Sequence, residues 1–470
     1  MRFFGNKYKI LILALLSVTF IKGILWATFT PIFQAPDEPT HYLYIQYLAE
    51  FGRLPEREVF FYPDESAIVK NLLEFDKTRH TGMKPEYISG LTGVNEGKIE
   101  SLAISQRTAG INQEHAYGIA QNYPPLYYVV GAVFYKIFYN SDFINRFFAI
   151  RICFLFLPIL TVFLAYKIAF EFFHKEKAAL TVATLVSFLP QYSFVSSVIN
   201  NDNLLICASA LFIYCSFRII NKGINNKRSV ALGAAAGLAL LTKPQALILV
   251  LTGLLVIFIL KRKTAVPTLF KSALIIFFMS LSIAGWWYLS GLLEYGSFMG
   301  PKTDILHPEG GHISFLFLAG YAILYVFMLI TDFLGEFGWA DVFLPDKYYS
   351  SFALLLVASF SGIIYLFFKK KLFSQHRDKL IFCLICILSF FVVILGLSIM
   401  AIVKVGYFGA YNQVRSYFPL LPLMFIILIL PIEYLKNIKI KNAIYFLITL
   451  YFIAINLLSL FNYLVFGFYA

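Results

Sequence analysis

Charge is scarce in this 470-residue chain: Asp, Glu, Lys and Arg together make up 14%, where a soluble domain carries about 25%. That shortage excludes an ordinary cytoplasmic enzyme. Low-complexity tracts are missing, and a hydrophobic content of 59% with a mean hydropathy of +0.74 excludes disorder. Nor does any stretch alternate apolar and polar residues over about ten positions, as a membrane β-barrel requires. Internal repeats and flexible linkers are absent as well. The five cysteines (Cys153, Cys207, Cys215, Cys383 and Cys386) all fall inside apolar runs and none in a loop, so disulfides are not expected. Cys383 and Cys386 make a C-x-x-C, but with no His or second pair nearby, which argues against metal or redox use.

What is present is a succession of apolar runs near the length that spans a bilayer, the mark of an all-α polytopic membrane protein. Eleven are expected to cross: 10–30, 147–169, 178–199, 203–220, 229–242, 245–260, 268–290, 350–368, 380–403, 415–435 and 442–466. The net charge of +13 would suit nucleic acid, but the placement of the cations argues otherwise. With the amino terminus inside, one side collects Arg2, Lys7, Lys9, Lys167, Lys175, Lys177, Arg218, Lys222, Lys227 and Arg228. It continues with Lys261, Arg262, Lys263, Lys271, Lys369, Lys370, Lys371, Arg377, Lys379, Lys436, Lys439 and Lys441. These are more than half of the 39 basic residues. The positive-inside rule accounts for them without a nucleic-acid partner. The start resembles a signal peptide, but its long apolar run lacks an A-x-A site, so an uncleaved first span is expected.

Two shorter segments, 124–139 and 315–331, would invert this topology if either alone crossed. They are read as helices in the outer interface or re-entering the protein. The whole of 1–470 then reads as one membrane domain, with a large outer loop at 31–146, a second outer segment at 291–349 and a short third at 404–414.

Ionisable groups at a membrane face are costly and so mark candidate sites. Asp37, Glu38 and His41 lie in Ala-Pro-Asp-Glu-Pro-Thr-His directly after the first span, where a helix opening near Pro39 would place a carboxylate at its amino end. A helix cap is the structural alternative. Tyr62-Pro63-Asp64-Glu65 repeats the triplet deeper in the loop, and solvated charge is its expected role. Pro124-Pro125 opens the interfacial helix. Arg146 and Arg151 stand at the outer end of the second span, where a guanidinium can snorkel or bind phosphate. Asn200-Asn201-Asp202-Asn203 forms an outer turn, Lys243 is a lone cation in the next outer hairpin, and Arg415 and Tyr417 open the tenth span. Asp332 and Glu336 add two acids on the same side. His307 and His312 flank Glu309, a spacing that seldom ligates metal. Carboxylates beside isolated cations suit group transfer from a phosphate: a general base acts on an acceptor while cations stabilise the phosphate leaving group.

The order P-D-E-P-x-H, P-P-L-Y-Y, an Arg opening span two, N-N-D, T-K-P, F-x-G-W and Q-x-R-x-x-x-P resembles a bacterial membrane-protein family, the domain of unknown function number 2142. That family is similar in turn to the GT-C superfamily of polyprenyl-phosphate-sugar glycosyltransferases. The resemblance implies a GT-C-like fold of about 11 transmembrane helices in the bacterial cytoplasmic membrane, with its site facing outward. It implies a catalytic carboxylate in the Asp37/Glu38 pair, with His41, Arg151, Asp202, Lys243, Arg415 and Tyr417 contacting substrate or phosphate. The implied partners are a polyprenyl-phosphate sugar, a glycan, lipid or protein acceptor, and the bilayer. Some GT-C enzymes use a divalent cation and others do not; Asp37, Glu38 and Asp202 would be its ligands here. Two departures stand out: Tyr123 replaces a basic residue common before the prolines, and Q-V-R-S-Y replaces Q-G-R-Y, which puts Tyr417 in doubt. A transporter or flippase of a lipid-linked or anionic substrate is the alternative, with an inert scaffold subunit behind it. A transporter would favour inverted repeats and midplane charges, which this sequence does not show.

Overall fold

The computed structural model describes residues 6–57, 62–73, 75, 94–109, 119–298, 315–340, 342–373, 376–405 and 413–469. His307, Glu309 and His312 lie outside the described residues. All eleven apolar runs are helical, as a bilayer demands of backbone that must satisfy its own hydrogen bonds. Among the described residues eight helical runs are long and apolar enough to cross a membrane, or nine if one bent pair counts as a single span. The difference from eleven lies in Asn226–Leu240 and Ala246–Leu260, each of 15 residues. Such helices rise about 22 Å, short of a hydrocarbon core of about 30 Å. The chain is nonetheless a helical, multi-pass membrane protein, and among the described residues the only strands are a small antiparallel pair, β1 (Glu336–Phe337) with β2 (Val342–Phe343).

The bent pair joins Glu176–Phe188 to Pro190–Ser196 at 63°. Pro190 lacks the N–H that would continue the ladder, so the carbonyls before it need other donors. Side chains supply them: Ser193 Oγ donates to Ser187 O at 3.3 Å and Asn456 Nδ2 to Phe188 O at 3.2 Å. Lys22, midway along α1 (Asn6–Phe29), is buried at this bend and donates to Ser193 Oγ at 2.5 Å. Nothing in the apolar run around Lys22 signals that contact.

Arg2 lies outside the described residues, and several of the other cations expected inside meet at one end of the bundle. Glu433 pairs with both Lys175 at 2.5 Å and Lys441 at 2.7 Å, and Lys379 Nζ donates to the carbonyls of Glu171 and Phe172 that end Phe156–Phe173. Segment 124–139 contains the helix Leu126–Ile137, which packs on α2 (Glu38–Phe51). Gly131 allows the close approach: a Cβ there would sit 2.5 Å from Ile45 Cδ1. Segment 315–331 belongs to a longer helix, Phe315–Leu334, packed along Asp346–Phe368 and Arg377–Val405. The first loop departs from expectation at one acid. Glu65 is not solvated but 1% exposed, held by Arg146 at 2.6 Å, Arg107 at 3.4 Å and Gln46 Nε2 at 2.9 Å. That network ties α3 (Asp64–Leu72) down onto α2 and onto Phe143–Cys153.

Candidate active site

α2 begins where the chain turns back at the end of α1, with Pro39 in its first turn and Asp37 as its N-cap. Asp37 adopts φ of +66°, a conformation that strains a non-glycine residue. The strain is held because neighbouring carboxylates are pulled opposite ways. Glu38 turns inward, fully buried, and accepts Arg151 Nε at 2.8 Å, Arg151 Nη2 at 2.6 Å and the Ile199 N–H at 2.9 Å. Arg151 directs its remaining donors to Ala27 O, Thr30 O and Pro31 O, at 2.8, 2.5 and 3.0 Å. All five of its N–H groups are thus committed, and none is left for a ligand.

Asp37 turns the other way. Its carboxylate pairs with Arg415 Nη2, while Arg415 Nη1 donates to Pro36 O at 3.2 Å. Arg415 sits at the start of the 3-10 turn Val414–Leu420, fixed by Gln245 Nε2 donating to Ser416 O at 2.6 Å. Arg415 Nε also approaches Asp202 Oδ2 at 3.6 Å, and Lys243 Nζ donates to Asp202 Oδ1 at 2.7 Å. The result is a line of alternating charge, Asp37–Arg415–Asp202–Lys243, drawn from four separate helix ends. It grades from closed to open: side-chain exposure is 2% at Asp202, 13% at Arg415, 16% at Lys243 and 40% at Asp37. Burial works to raise the Asp37 pKa, but Arg415 above all, with smaller contributions from His41 and Lys243, outweighs it and holds the carboxyl below its ordinary value. Lys243 is held above its own, because Asp202 and Tyr123 outweigh the burial that would lower it.

His41 lies one turn into α2, its Nδ1 2.8 Å from Tyr128 Oη and its ring stacked beside Tyr123 and Tyr128. Burial drives its pKa down to about 3 against the pull of Asp37, so it is neutral at physiological pH. Lys243 stands 5.1 Å over the ring of Tyr123, so the residue that replaces a base contacts a cation instead. Tyr417 is buried, and its hydroxyl meets that of Tyr325 at 3.0 Å rather than a member of the charge line. Among the described residues no three His, Cys, Asp or Glu gather as metal ligands. Asp37 and Asp202 each already face a cation, and Glu38 is locked to Arg151. That donor set does not fit a resident divalent ion, and no step below is routed through one.

Beside Arg415 opens a cavity with about 570 Å³ of empty space, mouth included. Its walls come from Pro190–Ser196, the turn after β1, the α1–α2 junction and residues 413–415. Asp332, Glu336 and Gln191 line it; the first two were legible as outer acids, whereas Gln191 gave no signal in an apolar run.

The chain matches the profile of a family described as "Predicted membrane protein (DUF2142)" over residues 20–424. No curated protein sequence matches it. Its fold is similar to ArnT from Cupriavidus metallidurans bound to undecaprenyl phosphate, with a TM-score of 0.53 and 14% identity over 95% of this chain and 64% of that one. The oligosaccharyltransferase of Archaeoglobus fulgidus, solved with Zn and sulfate, aligns at a TM-score of 0.47 and 11% identity, over 94% of this chain and 52% of that one. The chain therefore spans less than two thirds of the length of either protein. The architecture is GT-C-like, and the chain belongs to the DUF2142 family of membrane proteins.

Proposed function

We propose that this protein is a GT-C-type glycosyltransferase that moves a sugar from a polyprenyl-phosphate donor to a hydroxyl of an envelope glycan, lipid or protein. The observation that carries the reading is the charge line, which presents one half-exposed carboxylate, Asp37, beside two part-buried cations. Glu38, closed off by Arg151, positions α2, so the base is Asp37. The basic clusters at the other end of the bundle support an outward-facing site in the cytoplasmic membrane.

In the reaction the acceptor oxygen bonds to the anomeric carbon as the bond from that carbon to the phosphate oxygen breaks. The acceptor proton passes to Asp37, and the lipid leaves as a phosphate monoester with one more negative charge than it had as a diester. Arg415 and Lys243 oppose that new charge where it develops, the arrangement that lowers the barrier most. The transition state is oxocarbenium-like, and a single displacement inverts the anomeric centre. A phosphate that draws Arg415 toward itself also loosens its hold on Asp37, which strengthens the base when the donor is bound.

The test is mass spectrometry of envelope glycans from a deletion strain, alone or carrying wild type or Asp37→Asn. Loss of one sugar unit, restored by wild type and not by Asp37→Asn, is the expected result, and the lost mass identifies the sugar. Restoration by Asp37→Asn removes the catalytic reading. A complete glycan trapped on the cytoplasmic side of the deletion strain identifies a transporter instead.

A further inference from the structure

The cavity beside Arg415 has a mixed apolar and polar lining. Phe194, Val195 and Val198 supply apolar groups, while Asp332, Glu336 and Gln191 supply polar ones. The carboxyls of Asp332 and Glu336 lie against each other. Asp332, 9% exposed, has its pKa pushed up to about 9 by burial and by Glu336 against it, so it carries a proton. The protonated Asp332 beside Glu336 makes the pair both a donor and an acceptor of hydrogen bonds.

Gln191 points independently to a ligand. It is 8% exposed, and its Oε1 is fixed by the Glu336 N–H at 2.8 Å. That bond sets the amide orientation and leaves Nε2, on a residue that lines the cavity, with no acceptor among the described residues. The amide donors of Gln191 are thus free for a ligand that enters the cavity.

We infer that this cavity is the subsite for the transferred sugar, an uncharged pyranose whose hydroxyls bind the Asp332–Glu336 pair and Gln191 while its phosphate stays at Arg415. Ring hydroxyls donate and accept at once, which these polar groups match. The acids repel the phosphate, and they reject an acidic sugar for the same reason. Donor orientation follows from charge alone: anion at the Arg415 end, neutral ring at the acid end. The assignment deepens the transferase reading and rests on it.

The experiment is saturation-transfer NMR of the full-length protein in lipid nanodiscs, with free glucose, galactose, N-acetylglucosamine, glucosamine and glucuronate as probes. The expected result is a saturable signal from an uncharged sugar and none from glucuronate. The signal should weaken about tenfold or more in Asp332→Asn, Glu336→Gln and Gln191→Glu. Gln191→Glu keeps the acceptor for the Glu336 N–H and removes the amide donors, and the thermal unfolding midpoint of this variant checks that a third acid beside Asp332 and Glu336 leaves the fold intact. Val195→Phe, which fills the cavity from its apolar lining without touching a hydrogen bond, should abolish the signal too. Asp37→Asn should retain it. The assignment is overturned if no uncharged sugar binds, if these variants bind as well as wild type, or if glucuronate or glucosamine is preferred. Sugar binding here together with an intact glycan in the Asp37→Asn strain would keep the subsite and sink the transferase. A glycan that needs Asp37 but not Asp332, Glu336 or Gln191 would do the reverse.

Discussion

Adjacent acids at the head of α2 have opposite fates, and the difference is measurable. Glu38 and Arg151 form a buried, bidentate pair. Removing one partner strands a charge in an apolar setting, which costs about 3–5 kcal/mol. Arg151→Met should therefore lower the thermal unfolding midpoint sharply in detergent. Asp37→Asn, at a side chain 40% exposed, should change stability by about 1 kcal/mol or less while abolishing transfer. Equal loss of stability in both would show that Asp37 is also a structural tie. The pH profile separates them further. Because Arg415 and Lys243 hold the Asp37 pKa below its ordinary value, the base stays ionised as pH falls. The acid limb of kcat/KM should lie below about 3.9 in wild type. Arg415→Gln removes the main cation, so the limb of its residual activity should move upward in pH. A limb that stays put means another group sets it.

The ions of the line were legible in the sequence because each sits in a short polar break beside an apolar run: Asp37, Asp202, Lys243 and Arg415 do meet in one line. What was not legible depended on partners far along the chain. Glu65 reads as loop charge until Arg146, 81 residues on, closes over it. Arg151 reads as free to bind phosphate, yet its acceptors Ala27, Thr30, Pro31 and Glu38 all lie more than a hundred residues back. Gln191 is an ordinary polar residue until β1 returns 145 positions later to fix its amide.

At the scale of elements, the helix Leu126–Ile137 is the bed on which α2 lies. Tyr44 and Tyr128 stack across the contact with ring centroids 4.0 Å apart, and Gly131 leaves room for Ile45. Gly131→Val should push the two helices apart, at a cost of about 1–3 kcal/mol. Because α2 carries Asp37 at its head, transfer should fall even where the protein still folds, and limited proteolysis should show the first loop loosened. Full activity in Gly131→Val would mean that Asp37 is placed by Arg415 alone. Prolines announced both helices, Pro39 the first and Pro124-Pro125 the second, but not that one supports the other, since 124–139 reads by itself as an interfacial segment.

For the whole molecule, sidedness is the property that ties site to supply. The charge line and the inner basic clusters occupy opposite ends of the helices that join them, such as Asp202–Lys222, with Asp202 at one end and Lys222 at the other. A membrane-impermeant maleimide should label Arg53→Cys in intact cells and Lys263→Cys only after lysis, both positions being exposed. The opposite pattern would put the site in the cytoplasm and leave a lipid-linked donor on the outer leaflet out of reach.

Lys22 carries a consequence for how this protein is made. An ammonium group near the middle of a helix costs about 2.5–3.5 kcal/mol to place in a bilayer. Its acceptor, Ser193, is itself held by Asn456, and Trp26, one turn beyond Lys22, reaches Asn456 across 430 residues of chain. During synthesis α1 must wait in the lipid with that charge unanswered, or be sheltered by the insertion machinery, until helices from both distant regions arrive. The hydrogen bond that receives the lysine can form only when the two ends of the chain have closed on each other.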